Sequence, residues 1–192
     1  KVLIFGATPF SLINFRGDLL KKLKKEGHTV YGLSGIDNGF DKSKFQEFGV
    51  EHHHVFLKRT SINLFVELYS LLVVFLKIKE LKPDKIFSYS IKPVIYGALS
   101  CRLLGIKNQY SLISGVGYLF TSNDKNSSSL FFKLIKFIYK HALRTSKTIF
   151  FQNDDDIKLF RKLGLITPEC NVKRLYGSGV NLSKFQFKAL QN

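Results

Sequence analysis

The sequence predicts a single α/β domain, a Rossmann-like doubly wound parallel sheet with helices on both faces. Short runs of β-branched and aromatic residues alternate with helical stretches along the whole chain. The connections between them are short, and several helical stretches stop at a glycine, which is typical of a helix C-terminus. Strands that alternate with helices in this way indicate a parallel sheet. A length of 192 residues with 45% hydrophobic residues suffices for one well-buried core.

The individual elements follow from apolar runs and from the residues that end them. The first strand, residues 1–5, is bounded by Gly6, and the first helix, 18–26, ends at Gly27. The helix 64–81 closes before Pro83, which cannot continue it. The other strands are predicted at 29–33, 55–57, 85–90, 109–114, 148–151 and 172–176, and the other helices at 41–48, 94–104, 130–143 and 154–163. Ligands of such sheets bind beyond the carboxyl ends of the strands, so the residues after each strand are candidates for a site.

The chain is strongly basic, with 30 Lys and Arg against 14 Asp and Glu and a formal charge of +16. This balance predicts an anionic partner, which could be nucleic acid, a phosphorylated small molecule or an acidic membrane surface. The longest uncharged stretch, residues 108–123, is shorter than the roughly 20 apolar residues of a membrane-spanning helix. With no secretory signal visible and only two cysteines, we expect a cytoplasmic protein without disulfides.

The segment Gly6-Ala-Thr-Pro-Phe10 invites comparison with a dinucleotide-binding turn, because it follows the first strand and precedes a helix. That turn needs glycines that let the backbone approach a pyrophosphate. Thr8 and Ser11 occupy the second and third glycine positions, and Pro9 removes a backbone donor. The second strand is followed by Ser34-Gly35 instead of an acidic residue that would bind a ribose. We therefore expect no nicotinamide cofactor, although a nicotinamide-dependent reductase stays as an alternative.

Two clusters of titratable residues resemble metal sites but have simpler explanations. On a strand, neighbouring side chains point to opposite faces, so His52-His53-His54 cannot converge on one ion. We expect these histidines to be solvated. Asp154-Asp155-Asp156 reads as the acidic first turn of a helix, where the helix dipole favours carboxylates. No metal is expected, and no catalytic acid–base pair is evident.

Three short segments after strands are candidate binding elements. Arg16, in Asn14-Phe-Arg16 just before the predicted first helix, is suited to bidentate contact with phosphate, or it is an ordinary surface residue. The loops Ser114-Gly-Val-Gly-Tyr118 and Gly177-Ser-Gly-Val-Asn181 contain glycines that permit positive φ or close approach of a ligand to the backbone. Backbone N–H groups in such loops can bind an anion. A plain turn is the alternative in both cases.

The helix predicted at 130–143 carries the strongest physical signal. Basic residues at spacings of three and four form one stripe if the helix extends far enough, and aromatic residues flank this stripe. Such a face suits reversible docking on anionic headgroups, and a solvated face over ordinary core is the alternative. The helix 64–81 is unusually apolar, and part of it could also face a membrane. The stripe consists of Lys133, Lys136, Lys140, Arg144 and Lys147, the flanking aromatics of Phe132, Phe137 and Tyr139, and the expected core face of Leu130, Leu134, Ile138 and Ala142.

Several short motifs, in this order and spacing, together resemble the N-terminal half of the retaining glycosyltransferases of family 4. Within this family, the chain is most similar to enzymes that extend undecaprenyl-diphosphate-linked sugars for bacterial surface polysaccharides or glycoproteins. The likeness covers residues 1 to about 186. The motifs are Val2-Leu-Ile-Phe5, Asn14-Phe-Arg16, Arg59-Thr-Ser-Ile-Asn63, Lys82-Pro-Asp84, Ser88-Tyr-Ser90, Ser114-Gly-Val-Gly-Tyr-Leu-Phe120, Phe150-Phe-Gln-Asn153 and Gly177-Ser-Gly-Val-Asn181 with Phe185.

The resemblance implies a GT-B architecture, in which two Rossmann-like domains face each other across a cleft. Residues 1–186 would be the N-terminal domain, which mainly receives the acceptor, and 187–192 the start of the interdomain connection or a tail. The nucleotide-sugar donor would bind mostly to a C-terminal domain. The implied reaction is hexosyl or N-acetylhexosaminyl transfer with retention, independent of metal in most members, through an oxocarbenium-like transition state. Departing diphosphate can assist the incoming hydroxyl, so little conventional base is required.

The resemblance also suggests roles for individual residues, while no catalytic residue is assigned. The acceptor-binding candidates are Ser11, Asn14, Arg16, Arg59, Ser90 and Lys92, with Arg16 and Lys92 expected to contact acceptor phosphate or hydroxyls. The candidates for the cleft loops are Ser114, Gly115, Gly117, Tyr118, Asn153 and Gly179. Lys133, Lys136, Lys140 and Arg144 would bind the inner face of the plasma membrane. A basic α/β module that binds nucleic acid or a membrane is the alternative, although no RNA- or DNA-reading motif is visible and no nucleic-acid partner is expected.

Overall fold

The computed structural model describes residues 1–37, 39–41, 43–58, 61, 63–115 and 130–182, with side chains of 130–132 excepted. Its described strands form one seven-stranded sheet in which every neighbouring pair is parallel. The strand order is β3-β2-β1-β4-β5-β6-β7, which confirms the predicted doubly wound fold. The strands are β1 (Val2–Phe5), β2 (Val30–Gly35), β3 (Glu51–Val55), β4 (Lys85–Tyr89), β5 (Gln109–Ile113), β6 (Thr148–Phe151) and β7 (Val172–Arg174).

Helices cover the two faces of the sheet unequally. Buried side chains of α1 and α2 pack on one face, with Leu12 and Phe45 in its core. The other face carries α3, α4, α5 and α6, and its core includes Val74, Tyr139 and Phe160. In this second layer α4 packs between α3 and α5. The helices are α1 (Pro9–Lys25), α2 (Ser43–Glu47), α3 (Leu64–Leu81), α4 (Ile91–Leu104), α5 (Leu130–Arg144) and α6 (Asp154–Lys162).

The first helix is longer than the sequence predicts, because it begins at Pro9 and not at residue 18. Thr8 caps it, since its side chain accepts a hydrogen bond from the backbone N–H of Ser11 at 3.2 Å. Proline is compatible with the first turn, where its missing N–H has no helical partner. Gly17 lies inside the helix. The residue there is a glycine because a Cβ at this position would come within 2.9 Å of the Phe48 ring. Asn14, Phe15 and Arg16 therefore lie within α1, and their predicted position before the helix is wrong.

The third strand lies at Glu51–Val55 and not at 55–57, so the three histidines are strand residues. His52 stacks on Phe45 of α2 with ring centroids 4.0 Å apart, and its Nε2 lies 3.0 Å from the Ser34 hydroxyl. His53 packs on Tyr31 from the opposite face. His52 and His53 are thus half-buried, and the expectation of solvated histidines is wrong for these two. No metal-binding group of His, Cys, Asp and Glu side chains occurs among the described residues.

The core side of helix α5 is only partly as predicted. Ala142 is fully buried and Ile138 packs against the core, both as expected, whereas the side chain of Leu130 lies outside the described part. Tyr139 is fully buried and contacts Phe160, although it was expected beside the basic stripe. Leu134, expected in the core, is 44% exposed, and Phe137 is 59% exposed. The deep core contacts of the helix are made by Tyr139, Ala142 and Leu143. The helix ends at Arg144, so Lys147 follows it and is not part of the helical stripe.

The remaining elements agree closely with prediction. Helix α3 has the predicted bounds, and its C-terminal residue Leu81 is followed by Lys82 in the left-handed region. Helix α4 begins three residues earlier than predicted, at Ile91, so Lys92 lies in its first turn. Asp154, Asp155 and Asp156 form the acidic first turn of α6, as predicted.

Candidate ligand-binding site

The candidate site lies at the carboxyl edge of the sheet, where the strand order reverses between β1 and β4. Next to it is a cavity of about 740 Å³ between α1 and the segment that follows β7. Phe87 of β4, Leu112 of β5 and Leu175 form an apolar part of its lining. Arg16 from α1 and Ser178 from the loop after β7 provide polar groups, and the two side chains contact each other. A crevice at this position is where ligands of doubly wound sheets bind.

Tyr89, the last residue of β4, occupies the space above Gly6. A Cβ on Gly6 would lie 2.3 Å from the Tyr89 hydroxyl oxygen, so glycine is required there for this ring and not for a bound pyrophosphate. The Ser11 hydroxyl donates to the Thr8 carbonyl at 2.8 Å, which leaves Tyr89 to donate to Ser11 Oγ at 2.9 Å. Burial raises the pKa of Tyr89 to about 12.

Arg16 is a buried cation whose positive charge is not paired with a carboxylate among the described residues. Its residue exposure is 7%, and its guanidinium lies over the Tyr89 ring, 4.9 Å from the ring centroid. Nη1 donates to the Phe15 carbonyl and to Ser178 Oγ, both at 2.9 Å. Nε is buried without a hydrogen-bond partner in the described part of the chain. Burial lowers the pKa of Arg16, which expresses the cost of removing this charge from water.

Lys92, the other cation predicted to contact acceptor, is engaged by protein groups. Its Nζ donates to the Lys58 carbonyl at 2.6 Å, to the Ser61 carbonyl at 2.8 Å and to Glu67 Oε1 at 2.8 Å. An ammonium group has three N–H donors, so these contacts use all of them. Tyr96 donates to the other oxygen of Glu67, and burial together with this hydrogen bond raises the pKa of Tyr96. In this arrangement Lys92 fastens the segment after β3 to α3 and α4.

Ser90 and Asn14 are the remaining described acceptor candidates. Ser90 caps α4 with φ of 72°, a conformation that non-glycine residues rarely adopt, and its side chain makes no capping hydrogen bond. Asn14 is exposed on α1 and donates to the Phe10 carbonyl at 3.1 Å. Arg59 lies outside the described residues. The structure therefore brings Ser11 and Arg16 together through Tyr89, whereas Lys92 belongs to a separate network.

The predicted cleft loops are only partly described. Ser114 and Gly115 are exposed after β5, and Gly115 has φ of 149°, which favours glycine. Gly117 and Tyr118 lie outside the described residues. Asn153 caps α6 by accepting from the Asp156 N–H at 2.7 Å, which accounts for its position in structural terms. Gly179 has φ of 74° and adjoins Ser178 in the cavity wall.

Sequence reasoning assigned no individual role to Tyr89, Ser178 or Gln152, although all three lie in segments that it singled out after strands. Ser178 Oγ accepts from Gln152 Nε2 at 3.2 Å as well as from Arg16, so the three side chains form one polar cluster. Ser178 stands between Gly177 and Gly179, both with positive φ, and these glycines are the reason that the sequence predicted a candidate loop here. The contacts themselves join residues up to 162 positions apart, which no local pattern reveals.

The outer face of α5 combines exposed cations with exposed apolar side chains. Lys133 and Arg144 are exposed and Lys140 is half-buried, while Phe137 lies on the same face at helical spacing. Lys136 is half-buried, nearer the core side. Helix α3, in the same layer, also exposes a row of apolar side chains: Leu64, Phe65, Leu68, Tyr69, Leu72 and Leu76. Within the described ranges no helix is long and apolar enough to cross a bilayer.

A family model, described as glycosyl transferase 4-like, matches residues 1–153. No curated protein sequence gives a significant match. Three solved structures share the fold at low identity. MurG of Acinetobacter baumannii has a TM-score of 0.60 at 14% identity, with 95% of this chain and 46% of that chain covered. A glycosyltransferase from Rickettsia africae has a TM-score of 0.59 at 21% identity, with 97% and 45% covered.

The third structure is UDP-GlcNAc 2-epimerase from Neisseria meningitidis bound to UDP-GlcNAc. Its TM-score is 0.59 at 12% identity, and 90% of this chain and 46% of that chain are covered. Because this epimerase shares the fold, the fold alone does not decide between sugar transfer and sugar isomerisation. The chain spans less than half the length of each of these three structures.

Proposed function

Because the chain belongs to the glycosyl transferase 4-like family, we propose that it is the acceptor-side half of a GT-B glycosyltransferase working at a membrane surface. The enzyme transfers a hexosyl or N-acetylhexosaminyl group, with retention, from a nucleotide-sugar to a lipid-linked saccharide in bacterial surface glycan synthesis. The acceptor is an undecaprenyl-diphosphate-linked sugar, presented at the inner face of the plasma membrane. The observation that supports an acceptor bound to a membrane is the outer face of α5, which exposes both cationic and apolar side chains.

The composition of this face supports contact with anionic lipid. Phe137 is an exposed aromatic residue that lies one helical turn from both Lys133 and Lys140. An exposed Lys or Arg contributes about 1 kcal/mol near an anionic surface, and an aromatic ring beside it can enter the headgroup region. If this face contacted only water, exposing the apolar side chains of Phe137 and Leu134 would not stabilise the protein.

The exposed row on α3 supports the same orientation. Helices α3 and α5 flank α4 in one layer, so their outer faces belong to the same side of the molecule. The row runs through Leu68, Leu72 and Leu76, and contiguous exposed apolar surface on a soluble domain marks an interaction site. The resulting attachment is peripheral and reversible.

The donor belongs to the other half of the enzyme in this proposal. The Neisseria meningitidis epimerase was crystallised with UDP-GlcNAc, which supports a nucleotide-sugar as the donor class for this fold. On the acceptor side, Ser11, Asn14, Arg16 and Ser90 surround the switch point, and Lys92 holds the segment after β3 beside it. We assign no catalytic base to this chain, because departing diphosphate assists the acceptor hydroxyl in the retaining reaction.

Vesicle co-sedimentation of the 192-residue chain tests this proposal. We expect binding to anionic vesicles that weakens with salt, weak binding to neutral vesicles, and tighter binding when the anionic vesicles carry a polyprenyl-diphosphate-linked saccharide. The variant Lys133→Glu/Lys140→Glu should bind anionic vesicles at least about tenfold more weakly. The matched control Lys24→Glu/Lys25→Glu makes the same charge change on exposed α1 residues of the opposite layer and should bind almost as wild type.

Two results would contradict the proposal. Equal loss of binding in both double variants would mean that net charge alone, and not the α5 face, attracts the lipid. If the saccharide-bearing lipid does not tighten binding to the vesicles, the proposal that the acceptor is a lipid-linked saccharide is wrong.

A further inference from the structure

Arg16 has donor capacity that the described part of the protein does not use. A guanidinium has five N–H donors, and Nη1 uses its two on the Phe15 carbonyl and Ser178 Oγ. The remaining three, on Nε and Nη2, have no hydrogen-bond partner among the described residues. Nε and Nη2 form the edge of the guanidinium that makes bidentate contact with carboxylates and phosphates. Nε itself is buried, so the donors left for a ligand that enters the cavity are the two on Nη2.

The charge of Arg16 is also uncompensated. No ion pair between described residues involves Arg16, and the nearby Tyr89 stays neutral because burial raises its pKa to about 12. The carboxylate of Asp18, which also lines the cavity, is exposed and lies 3.5 Å from the Asn181 amide nitrogen. Lys21, another lining residue, places its ammonium over the Phe48 ring. A buried cation without a partner is costly, so its presence beside a cavity indicates an anionic ligand.

One further donor, the Ser178 hydroxyl, lies at the same place. Ser178 Oγ accepts from both Arg16 and Gln152, so its own proton is left to donate to a ligand. The positive φ angles of Gly177 and Gly179 turn the backbone on either side of Ser178. The adjacent lining of Phe87 and Leu175, with exposed Phe15 and Val180 at the margin, suits an organic group attached to the anion.

We propose that this cavity binds a diphosphate-bearing ligand, with one phosphate held by Nη2 of Arg16 and by the Ser178 hydroxyl. The inference deepens the proposed function and rests on it for the source of the diphosphate. Two molecules of the reaction carry this group, the lipid-linked acceptor and the nucleotide-sugar donor. Tyr89 is a positioning residue, because its ring supports the guanidinium from below without contacting the ligand.

Calorimetric titration of the 192-residue chain with inorganic pyrophosphate, at about 0.15 M salt, tests the site. We expect one saturable site, and Arg16→Gln should weaken it at least about tenfold because a charge-assisted contact with phosphate is lost. The control Lys25→Gln removes the same charge from an exposed position of the same helix and should leave the affinity within about twofold. Ser178→Ala keeps every charge and should weaken pyrophosphate binding severalfold. This variant tests the site if Arg16→Gln fails to fold.

Two further ligands identify the source of the diphosphate. Tighter binding of UDP than of pyrophosphate assigns the cavity to the donor, and tighter binding of a soluble short-chain prenyl diphosphate assigns it to the acceptor. Absence of saturable pyrophosphate binding, or equal binding by Arg16→Gln, overturns the inference. Neither result affects vesicle binding through α5, so loss of diphosphate binding with intact lipid binding leaves the proposed function standing. Diphosphate binding by a chain that does not bind anionic vesicles, or that binds them equally well after Lys133→Glu/Lys140→Glu, would overturn the proposed function instead.

Discussion

Lys92 and Arg16 are two cations at the same edge of one sheet, and their surroundings are opposite. Lys92 donates to two carbonyls and one carboxylate, and that carboxylate also accepts from Tyr96. Arg16 lies deeper and has one carbonyl and one hydroxyl as acceptors, while its Nε and Nη2 have no hydrogen-bond partner among the described residues. A cation whose donors are all used stabilises the fold, whereas one with unused donors beside a cavity is available for binding. Position after a strand does not distinguish the two roles.

The largest expected effect is on stability and concerns Lys92. Lys92→Met removes three hydrogen bonds and leaves the half-buried carboxylate of Glu67 without its cation. We expect a loss of about 3 kcal/mol in the free energy of unfolding, measured by urea denaturation. The control Lys77→Met breaks the Lys77–Glu80 pair, whose carboxylate is 61% exposed, and should cost less than about 1 kcal/mol. Equal losses would mean that the Lys92 network is an ordinary surface ion pair.

The next effect concerns the pH dependence of stability through Tyr89. Its folded-state pKa is raised to about 12, above the ordinary value near 10, so the folded protein holds this proton more tightly than the unfolded chain. The contribution of Tyr89 to stability is therefore complete below about pH 10 and falls as pH rises towards 12. Between pH 10 and 11 we expect wild type to lose about 1 kcal/mol more than Tyr89→Phe, as measured by urea denaturation.

The comparison with Tyr89→Phe isolates this group, because other buried tyrosines titrate in both proteins. Parallel stability curves of the two proteins above pH 10 would mean that the Tyr89 hydroxyl is solvated. Phenylalanine keeps the ring beneath Arg16, so diphosphate binding by this variant should stay close to wild type.

The smallest expected change in stability concerns Arg16. Replacing a buried, unpaired cation by an apolar side chain of similar length is neutral or stabilising in many proteins. We expect Arg16→Met to differ from wild type by no more than about 1 kcal/mol in urea denaturation while losing diphosphate binding. A loss as large as that of Lys92→Met would show that Arg16 is mainly a brace between α1 and the loop after β7.

The sequence predicted the parallel sheet and the bounds of α3 because apolar runs and their terminators are local signals. It placed the start of α1 nine residues too late, since Pro9 and Gly17 read as breaks in a helix. In the structure Pro9 occupies the first turn, and Gly17 makes room for Phe48, 31 positions away in the chain. The core side of α5 was also misjudged in part, because Tyr139 and Phe137 are equivalent by composition and only packing against Phe160 decides between them.

The site was predicted in part. Arg16 was chosen for its chemistry. In the structure it lies within a helix, beside a cavity, and has N–H donors that no described residue uses. The roles of Tyr89 and Ser178 depend on contacts with Gly6 and Arg16, which are 83 and 162 positions distant in the chain. Contacts between residues so far apart in the chain form only in the folded sheet, so local sequence patterns do not predict them. Lys92 was chosen by the same criteria as Arg16, and only its three acceptors reveal the difference.

The hydrogen bond from Arg16 to Ser178 joins the first helix to the segment after the last strand. The cavity walls therefore come together only when both ends of the described chain are in place, so a partly folded domain lacks the pocket. A molecule held there favours the complete domain over every partly unfolded form, and raises the free energy of global unfolding as its concentration exceeds the dissociation constant. Occupancy of the pocket would slow hydrogen exchange in strands as far away as β3, which no ligand touches.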